Sequence, residues 1–490
     1  MRSPVFRRAS AAASILIATL AVAACQRSDA GETYVIVIGD QPKIVDPASG
    51  PLTEPQAVLL ANVAQGLVRF DASGQIVPGL AERWNVADDG LSYIFRLQSG
   101  EWPDGRKITA DQVARLLRRQ IASRSSNRLK DTLGAIEEIT PMTDRVIEIS
   151  LKAARPHLLQ LLAQPEFAII REDRGTGPFQ VAPKSGQGEL DLERTVSAPD
   201  EEVTAREQVR LAAKPAQVAV QLFLKGETDL VLGGTYADLP YARPNDLPKN
   251  ALRFDPATGL FGLVPTRSDG PLNDIEIRRL LNEAIDRQAL VDALNVPGLL
   301  PRVTILEPGL DGMANPEPPQ WAAIAIDQRR AQLSADANRI FGGLDKPVIR
   351  IELPDAPGAK VLLDRIASDW GALGITVEMA QPGKPADLKL VDAVAPSTSP
   401  AWFLRSFRCE EVALCDPEAD VLLDGARSAS LATQRNALLA QAARRMDDQQ
   451  LFIALAAPIR WSLVSSQVQG FTVNRFANHT LTALQQRPDR

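Results

Sequence analysis

The sequence predicts an α/β fold that contains more than one β-sheet. Short apolar runs with the length of buried strands recur along the chain, and amphipathic helical segments lie between them. Strands that are interspersed with helices throughout are typical of α/β proteins. The predicted strands lie at 34–38, 93–97, 229–232, 348–352, 388–391 and 461–464.

Two of the predicted helices have recognisable start signals. A helix over 110–121 follows Thr109, a residue type that is favoured at helix N-termini. The clearest helix begins at Asn273 and Asp274, where Glu276 is placed for a capping box. The apolar residues of this second helix have the spacing of one buried face: Ile277, Leu280, Leu281, Ala284 and Ile285.

Further helices are predicted in the C-terminal half, one of them over 432–450. Proline and glycine are dense in 233–248 and 308–319, and these stretches are predicted to be exposed connections. Another helix is predicted by a single apolar stripe made of Leu362, Ile366, Trp370 and Leu373.

Length and charge limit the function. The chain has 490 residues, enough for several domains, and its 45% hydrophobic and 23% charged content is ordinary for a globular protein. The net charge is −6, and removal of Arg2, Arg7 and Arg8 with the first 24 residues would leave −9. An acidic chain without a basic stripe repels phosphate backbones, so no nucleic-acid partner is expected.

The N-terminus is predicted to be a lipoprotein signal peptide at 1–24. Its apolar run at 11–24 would span about 21 Å as a helix, which is shorter than the ~30 Å core of a bilayer. The run ends in Val-Ala-Ala before Cys25, which resembles a bacterial lipobox. Cys25 is therefore the predicted lipidation site, followed by a tether at 25–33. The alternative is an ordinary signal peptide with an incidental cysteine. Gln26 suggests the outer membrane without deciding between the two membranes.

The other cysteines, Cys409 and Cys415, are predicted to form a disulfide. A ring this small would mainly shape one loop. Zinc binding is the alternative, but it needs about four ligands, and His157 and His479 lie far away in sequence.

Several short motifs occur in the order found in one known family. Together they resemble family 5 of the extracytoplasmic solute-binding proteins, which serve oligopeptide, dipeptide and nickel ABC importers. The resemblance covers nearly the whole chain after the signal peptide. The motifs are Asp-Pro at 46–47, Gln-Gly-Leu-Val at 65–68, Ile-Val-Pro-Gly-Leu-Ala-Glu at 76–82, Trp-Pro-Asp-Gly at 102–105, Thr-Ala-Asp-Gln-Val at 109–113, Gly-Thr-Gly-Pro-Phe at 175–179 and Ala-Ile-Asp-Arg at 284–287.

This resemblance implies a periplasmic-binding-protein-like, two-lobe hinged fold of the large three-domain type, with mixed sheets. Two lobes would close over a ligand around the hinge. The domain boundaries that it implies are 31–54, 172–258 and 456–490 for a discontinuous first lobe, 55–171 for an inserted second domain and 259–455 for the second lobe.

The function that the resemblance implies is capture and delivery of a solute. A lipid-anchored, periplasmic and monomeric protein would bind a small peptide or similar polar solute and deliver it to an ABC permease and its ATPase. The membrane would be contacted through the lipid anchor. A periplasmic sensor or chaperone on the same fold is the alternative, and a hydrolase is a third interpretation. Catalytic motifs such as the nucleophile elbow and His-Glu-x-x-His are absent from the sequence, so no catalytic residue, cofactor or metal is predicted.

The resemblance also locates candidate ligand-binding acids. In peptide-binding relatives an acid four residues before a proline-centred loop anchors the ligand's ammonium group. The loop here resembles 397–404, and the acid position holds Pro396, which cannot pair with a cation. Asp392 and Glu54 are the candidate substitutes. Each is alternatively a solvated surface acid.

Three further candidates complete the predicted ligand site. Thr266 and Arg267 occupy the region where the family has an asparagine that meets the ligand backbone. Thr266 can form hydrogen bonds, and Arg267 either binds a carboxylate with two donors or points into water. Trp402 is either an aromatic platform for the ligand or a core residue.

Overall fold

The computed structural model describes residues 32–183, 188–197, 204–342, 347–381 and 383–486. The predicted signal peptide, Cys25 and most of the predicted tether lie outside the described residues. Within the described part of the chain, no helix combines the length and the apolarity needed to cross a membrane.

The first sheet of the described chain has seven strands and carries the N-terminal strand near its centre. β1 pairs in parallel with both of its neighbours, and the other pairs are antiparallel, so the sheet is mixed. In spatial order, with strands numbered along the chain, they are β10 (Gln180–Val181), β11 (Glu189–Ser197), β12 (Thr204–Lys214), β1 (Thr33–Ile38), β13 (Leu230–Thr235), β20 (Arg460–Val464) and β14 (Leu252–Phe254).

The second sheet has five strands among the described residues and is also mixed. β16 pairs in parallel with its two neighbours, whereas β15 is antiparallel to both of its own. The prediction of mixed sheets is therefore confirmed. The strands are, in spatial order, β17 (Thr376–Met379), β16 (Val348–Glu352), β18 (Leu388–Val394), β15 (Gly259–Pro265) and β19 (Ile453–Ala456).

The remaining strands form a four-stranded antiparallel sheet and three small ladders. The four-stranded sheet contains β4 (Ala81–Val86), β5 (Ser92–Leu97), β7 (Val146–Leu151) and β6 (Ile136–Thr143). The ladders pair β2 (Val68–Phe70) with β3 (Ile76–Pro78), β8 (Ile170–Arg171) with β9 (Arg174–Gly175), and β21 (Val468–Gln469) with β22 (Gln485–Gln486).

The α-helices of the described chain cover these sheets and connect them. They are α1 (Glu54–Val63), α2 (Ala110–Ile121), α3 (Leu158–Leu162), α4 (Ala216–Leu224), α5 (Ile275–Ala284), α6 (Arg287–Leu294), α7 (Ile326–Phe341), α8 (Pro357–Gly371), α9 (Pro400–Arg405), α10 (Pro417–Ser428) and α11 (Ala432–Asp448).

The chain crosses between the two large sheets twice. It leaves the first sheet after β14 and enters the second with β15, and it returns between β19 and β20. The four-stranded sheet lies within residues 55–171, which we call the inserted segment. Residues 259–455 contain every strand of the second sheet except the last residue of β19, and we call them the second segment. The division into three domains with the predicted boundaries remains a prediction.

The helical stripe in the second segment is fully buried, as its spacing predicts. Leu362, Ile366 and Trp370 of α8 are at most 1% exposed, and they share a core cluster with strand residues of the second sheet. The indole N–H of Trp370 donates to the carbonyl oxygen of Leu281 in α5 at 2.9 Å. Helix periodicity alone therefore located this part of the core.

The predicted capping box at α5 is wrong. The N-cap residue is Asp274 rather than Asn273, which instead ends a short 3-10 turn. The Asp274 side chain accepts a hydrogen bond from the backbone N–H of Glu276 at 2.8 Å. Since Glu276 is then the second helical residue, it does not occupy the third position that a capping box requires.

The prediction of an exposed connection at 233–248 is also wrong in its first part. β13 continues through Gly233 and Gly234 to Thr235. The indole ring of Trp461 packs on Gly234, where an added Cβ would lie 2.1 Å from ring atoms. Glycine is therefore required at this position by close packing, although such residues normally indicate a turn.

We expect Gly358→Ala to destabilise the protein by about 1–3 kcal/mol, the usual cost of overpacking. Gly358 lies in the first turn of α8, and its Cβ would be 1.9 Å from the carbonyl oxygen of Tyr236, just beyond β13. Gly371, at the other end of the helix, has nothing within 4 Å of its Cβ. Urea denaturation should therefore show Gly371→Ala to be neutral or stabilising by up to about 1 kcal/mol. Equal losses in both variants would contradict the close approach at Gly358.

Candidate interlobe binding site

A cavity of about 560 Å³ lies between the inserted segment and the second segment. We call it the interlobe cavity. Arg155, His157 and the 131–135 loop line it from the inserted segment, and the opposite wall comes from α9, α10, α11 and the loops around 311 and 397–399. This cavity has the size of sites that bind small organic ligands in proteins.

Amide side chains of the inserted segment fix the proline-centred loop in the cavity wall. Gln164 donates to the carbonyl oxygen of Pro396 at 2.7 Å, and the Gln160 side-chain oxygen accepts from the backbone N–H of Thr398 at 3.0 Å. Thr398 is 2% exposed and also donates its hydroxyl to Asp311. The loop therefore joins the two segments directly through hydrogen bonds.

His157 is buried in the same contact. Its Nδ1 atom lies 3.2 Å from the hydroxyl oxygen of Thr398 and 3.2 Å from a carboxylate oxygen of Asp311. Loss of hydration lowers the pKa of His157, and the charge of Asp311 only partly opposes this effect. The imidazole is consequently neutral at neutral pH and contributes hydrogen bonding rather than charge.

A disulfide shapes one rim of the interlobe cavity. Cys409 and Cys415 are bonded, with their Cα atoms 5.0 Å apart. The loop they close contains Glu410 and Glu411, which line the cavity. The backbone N–H of Cys409 also donates to Asp420 in α10 at 3.1 Å. The disulfide thus connects the rim loop to a helix of the cavity wall.

Among the five predicted ligand-binding residues, Trp402 alone lines the interlobe cavity. Its ring lies edge-on to Phe403 with the ring centroids 5.1 Å apart, and the side chain is half-buried. One part of the indole therefore packs on the core of the second segment, and another part faces the cavity. The contact of this tryptophan with a ligand remains a prediction.

Asp392 lies in an ion pair that connects the two large sheets. Its carboxylate oxygen on β18 is 2.8 Å from Nη1 of Arg460 on β20, and the side chains are 15% and 17% exposed. Burial raises the pKa of Asp392, while Arg460 acts in the opposite direction by charge and hydrogen bonding. The predicted acid thus already has a cationic partner.

Glu54 stands at the start of α1 against Gly233 of β13. Its side chain is exposed, but the surrounding protein removes part of its hydration. The resulting loss of hydration raises the pKa of Glu54, and the nearby charge of Arg460 opposes the increase. Glu54 and Asp392 therefore share one cationic neighbour.

Thr266 and Arg267 lie away from this pair, beyond the far end of β15. The Thr266 hydroxyl donates to the carbonyl oxygen of Ala386, and Nε of Arg267 is 2.9 Å from the Asp269 carboxylate. Asp392 pairs with Phe261, so about five residues of strand, roughly 17 Å, separate it from Thr266. The ligand contacts predicted for these two residues remain predictions.

Sequence reasoning missed three cavity residues with strong electrostatic character, Arg155, Arg427 and Arg435. Arg155 precedes α3, whereas the other two lie near the junction of α10 and α11. No motif or periodicity connects positions some 270 residues apart. Only the folded chain brings these side chains to one cavity.

A cavity between two segments of a mixed α/β fold is typical of the class of substrate-binding proteins. The family model described as "Bacterial extracellular solute-binding proteins, family 5 Middle" matches residues 75–400, about two thirds of the chain. The chain belongs to this family of solute-binding proteins, and the predicted resemblance is confirmed.

Known relatives extend the similarity over most of the chain. A probable di/tripeptide-binding protein 5 of Pseudomonas aeruginosa is 26% identical, covering 84% of this chain and 87% of that protein. The periplasmic oligopeptide-binding protein OppA of Salmonella typhimurium is 23% identical, covering 96% of each chain. The crystal structure of Haemophilus influenzae OppA in complex with RPPGFSPFR superposes with a TM-score of 0.78 at 16% identity, covering 93% of this chain and 99% of that one. The two-lobe α/β fold predicted from the sequence is therefore confirmed.

Proposed function

We propose that the protein is the substrate-binding component of an ABC import system and captures a small peptide or similar polar solute. The ligand enters the interlobe cavity, the two segments close over it, and the complex delivers it to a membrane permease that works with its ATPase. The protein acts as a periplasmic monomer that is anchored through the lipidated Cys25. It carries its ligand without transforming it.

The observation that supports this proposal most directly is the interlobe cavity. Its volume of about 560 Å³ suits a ligand of a few residues. Its walls come from the inserted segment and the second segment. Two chain crossings join the second segment to the first sheet, so movement of the second segment about them would open or close the cavity. The names of the relatives, a di/tripeptide-binding and an oligopeptide-binding protein, favour the same ligand class.

In this proposal Trp402 contacts the ligand, because part of its ring faces the cavity. Glu54 and Asp392 border the cleft near the crossings between the sheets, where Arg460 balances their charge. We leave Thr266 and Arg267 out of the binding site, since both side chains already bond to neighbouring groups at the far end of β15.

The test begins with the ligand that travels with the protein. Native mass spectrometry of freshly purified protein would identify a bound solute, and thermal unfolding with a panel of peptides and polar metabolites would measure stabilisation. Because a ligand that binds only the folded state raises its stability, binding at 100 times Kd is expected to add about 2.7 kcal/mol. A folded sample that carries no solute and responds to no panel compound would contradict the proposed function.

For the compound that binds, we expect Trp402→Ala to weaken affinity about tenfold, since a buried aromatic contact in a pocket supplies much of the binding energy. Isothermal titration would measure the change. Trp321→Ala is the matched control, because that ring packs beside Arg287 and Arg329 and does not line the cavity. Unchanged affinity in Trp402→Ala, or an equal loss in the control, would remove Trp402 from the site.

A further inference from the structure

Three arginine side chains meet in one part of the interlobe cavity and bridge its two walls. Nη2 of Arg155 donates to the carbonyl oxygen of Arg427 at 3.0 Å, and Nη1 of Arg435 donates to the carbonyl oxygen of Ala154 at 3.1 Å. All three arginines line the cavity. We call them the arginine cluster.

Among the described residues, no carboxylate forms an ion pair with any member of the arginine cluster. The other two cavity arginines do form ion pairs. Nη2 of Arg405 lies 2.8 Å from the Asp131 carboxylate, and Nη1 of Arg408 lies 2.9 Å from the Asp424 carboxylate. Positive charge in the cavity is thus balanced at α9 and the disulfide loop but unbalanced where α10 meets α11.

The arginine cluster is charged at neutral pH in spite of its surroundings. Loss of hydration, followed by the charges of Arg435 and Arg427, lowers the pKa of Arg155 to about 10. A guanidinium with that pKa still carries its proton at neutral pH. Three like charges in a partly enclosed cavity repel one another, and they favour any anion that enters.

The arginine cluster also keeps hydrogen-bond donors for a ligand. Each guanidinium has five N–H groups, and those of Arg155 and Arg435 use only some of them on backbone carbonyl oxygens. The Arg427 guanidinium has no hydrogen bond or ion pair within the described chain. Gly134 faces it without a side chain, since a Cβ there would come within 3.0 Å of Nη2.

The acids of the cavity wall are mostly engaged. Asp131 pairs with Arg405, Glu410 lies 3.5 Å from Arg408, and Asp311 contacts His157 and Thr398. Glu411 remains as an exposed residue of the rim loop. Because His157 is neutral, the charges of Asp311 and Glu411 have no cationic partner among the described residues. The three arginines of the cluster therefore outnumber the unbalanced acids of the cavity by one.

We propose that the ligand carries a carboxylate group that is bound by Arg155, Arg427 and Arg435, so that the protein selects peptides or solutes with a free carboxylate at this position. The inference deepens the proposed function and rests on it. A planar carboxylate accepts two parallel N–H bonds from a guanidinium, a geometry that the corresponding carboxamide cannot use.

A panel of matched pairs tests this selection. Each pair consists of one compound as its free acid and as its carboxamide, such as tri-alanine with tri-alanine amide and glutarate with glutaramide. Ala-Glu-Ala amide beside Ala-Ala-Ala amide separates a side-chain carboxylate from a C-terminal one. We expect the affinity for at least one acid to exceed the affinity for its amide by about tenfold or more, because hydrogen bonds to charged groups are strong.

Substitutions then assign the selection to the arginine cluster. Arg427→Gln should reduce affinity for the preferred acid about tenfold, and the triple change to glutamine should abolish the preference for acid over amide. Arg427→Gln should also fold normally, because its guanidinium has no partner within the described residues. Arg115→Gln is the control, since it removes the same charge from the exposed face of α2.

The outcomes separate the two proposals. Equal binding of acid and amide by the wild-type protein, or an unchanged preference in the triple variant, would overturn the carboxylate inference and leave the proposed function intact. Failure of every acid and amide to bind would contradict the proposed function and this inference with it. A lower melting temperature in ligand-free Arg427→Gln would mean that this arginine is structural, and the inference would be wrong.

Discussion

Asp392→Ala is expected to cost about 3–5 kcal/mol of folding stability, the usual effect of leaving a buried charge without its partner. Arg460 on β20 is 17% exposed and lies 2.8 Å from the Asp392 carboxylate on β18. Without that carboxylate the guanidinium would keep its hydrogen bonds to the carbonyl oxygens of Ile459 and of residue 392. It would lose the one ion pair that it forms within the described chain, with only the more distant charge of Glu54 left to balance it. The effect is large because two separate sheets meet at this pair.

A double-mutant cycle separates the pair from its surroundings. Asp392→Leu, Arg460→Leu and the combined change would be compared by urea denaturation. Since an apolar pair leaves no unbalanced charge, the combined variant is expected to recover most of the loss in either single variant. A loss below about 1 kcal/mol in Asp392→Ala would contradict a structural role for the pair.

The same cycle decides between two roles of Asp392. If Asp392 is mainly a ligand-binding acid, as the sequence predicts, its removal should weaken ligand affinity and leave the unliganded protein nearly as stable. If the pair mainly connects the sheets, removal of Asp392 should lower the stability of the unliganded protein by more than it lowers the free energy of ligand binding. The geometry favours the second result, because the Asp392 carboxylate forms an ion pair with a guanidinium of the protein itself.

The sequence predicted the parts of the fold that local patterns encode. The first strand was placed at 34–38 and extends over Thr33–Ile38, and the helix after Thr109 has the predicted bounds, Ala110–Ile121. Buried strands and amphipathic helices repeat their signal every two to four residues. A short window of sequence is therefore sufficient to find them.

One error arose where a distant contact overrides local preference, and another arose where a short turn shifts the start of a helix. The two glycines of β13 indicate a turn locally, but Trp461, more than two hundred residues later, packs on Gly234 and keeps it in a strand. The capping box at α5 failed because a 3-10 turn ends at Asn273 and moves the helix start by one residue. Hydrophobic periodicity indicates neither the packing of Trp461 on Gly234 nor the 3-10 turn before α5.

The candidate site was predicted only in part for the same reason. Trp402 was found because it belongs to a proline-centred loop with a recognisable family pattern. The arginine cluster was missed, because Arg155 and Arg427 each resemble an ordinary surface arginine until the fold brings them together. The net charge of a cavity depends on which oppositely charged side chains lie close to its lining residues, and the sequence alone does not show which residues are close in the fold.

The stability of the protein is expected to fall as the pH rises from about 4.5 to about 7, and Glu307 is one of the acids that cause the decrease. Loss of hydration raises the pKa of this 4% exposed acid from 4.5 to about 7, although Arg302 and Arg475 act against the increase. The folded protein therefore binds a proton that the unfolded chain releases across this window. At about 1.36 kcal/mol per pH unit, up to about 3 kcal/mol is lost by pH 7.

Glu307→Gln should remove the part of this pH dependence that Glu307 contributes, because glutamine keeps the shape of the protonated acid and does not titrate. The variant is expected to match the wild-type protein near pH 4.5 and to exceed its stability by about 2–3 kcal/mol at pH 8. Urea denaturation at several pH values would measure both curves. A variant that is less stable than the wild-type protein at pH 8 would show that ionised Glu307 stabilises the fold.

Asp447 is a second acid that makes the stability of the protein depend on pH, and its contribution remains in the Glu307→Gln variant. Burial also raises the pKa of Asp447 to about 7, and the Asp447 carboxylate accepts the backbone N–H of Ile305 at 3.0 Å. Asp447→Asn should therefore remove a further part of the pH dependence, at least as large as the part due to Glu307. Acids with lowered pKa values, such as Asp71 and Asp416, act in the opposite direction, but their stabilising effect is lost only at lower pH. Glu307 ends the loop at 302–307, and Asp447 bonds to the same loop. The backbone N–H of Arg302 in this loop donates to the carbonyl oxygen of Leu455 in β19, next to the chain crossing that the proposed closure uses. Ionisation of the two acids therefore weakens the second segment beside that crossing.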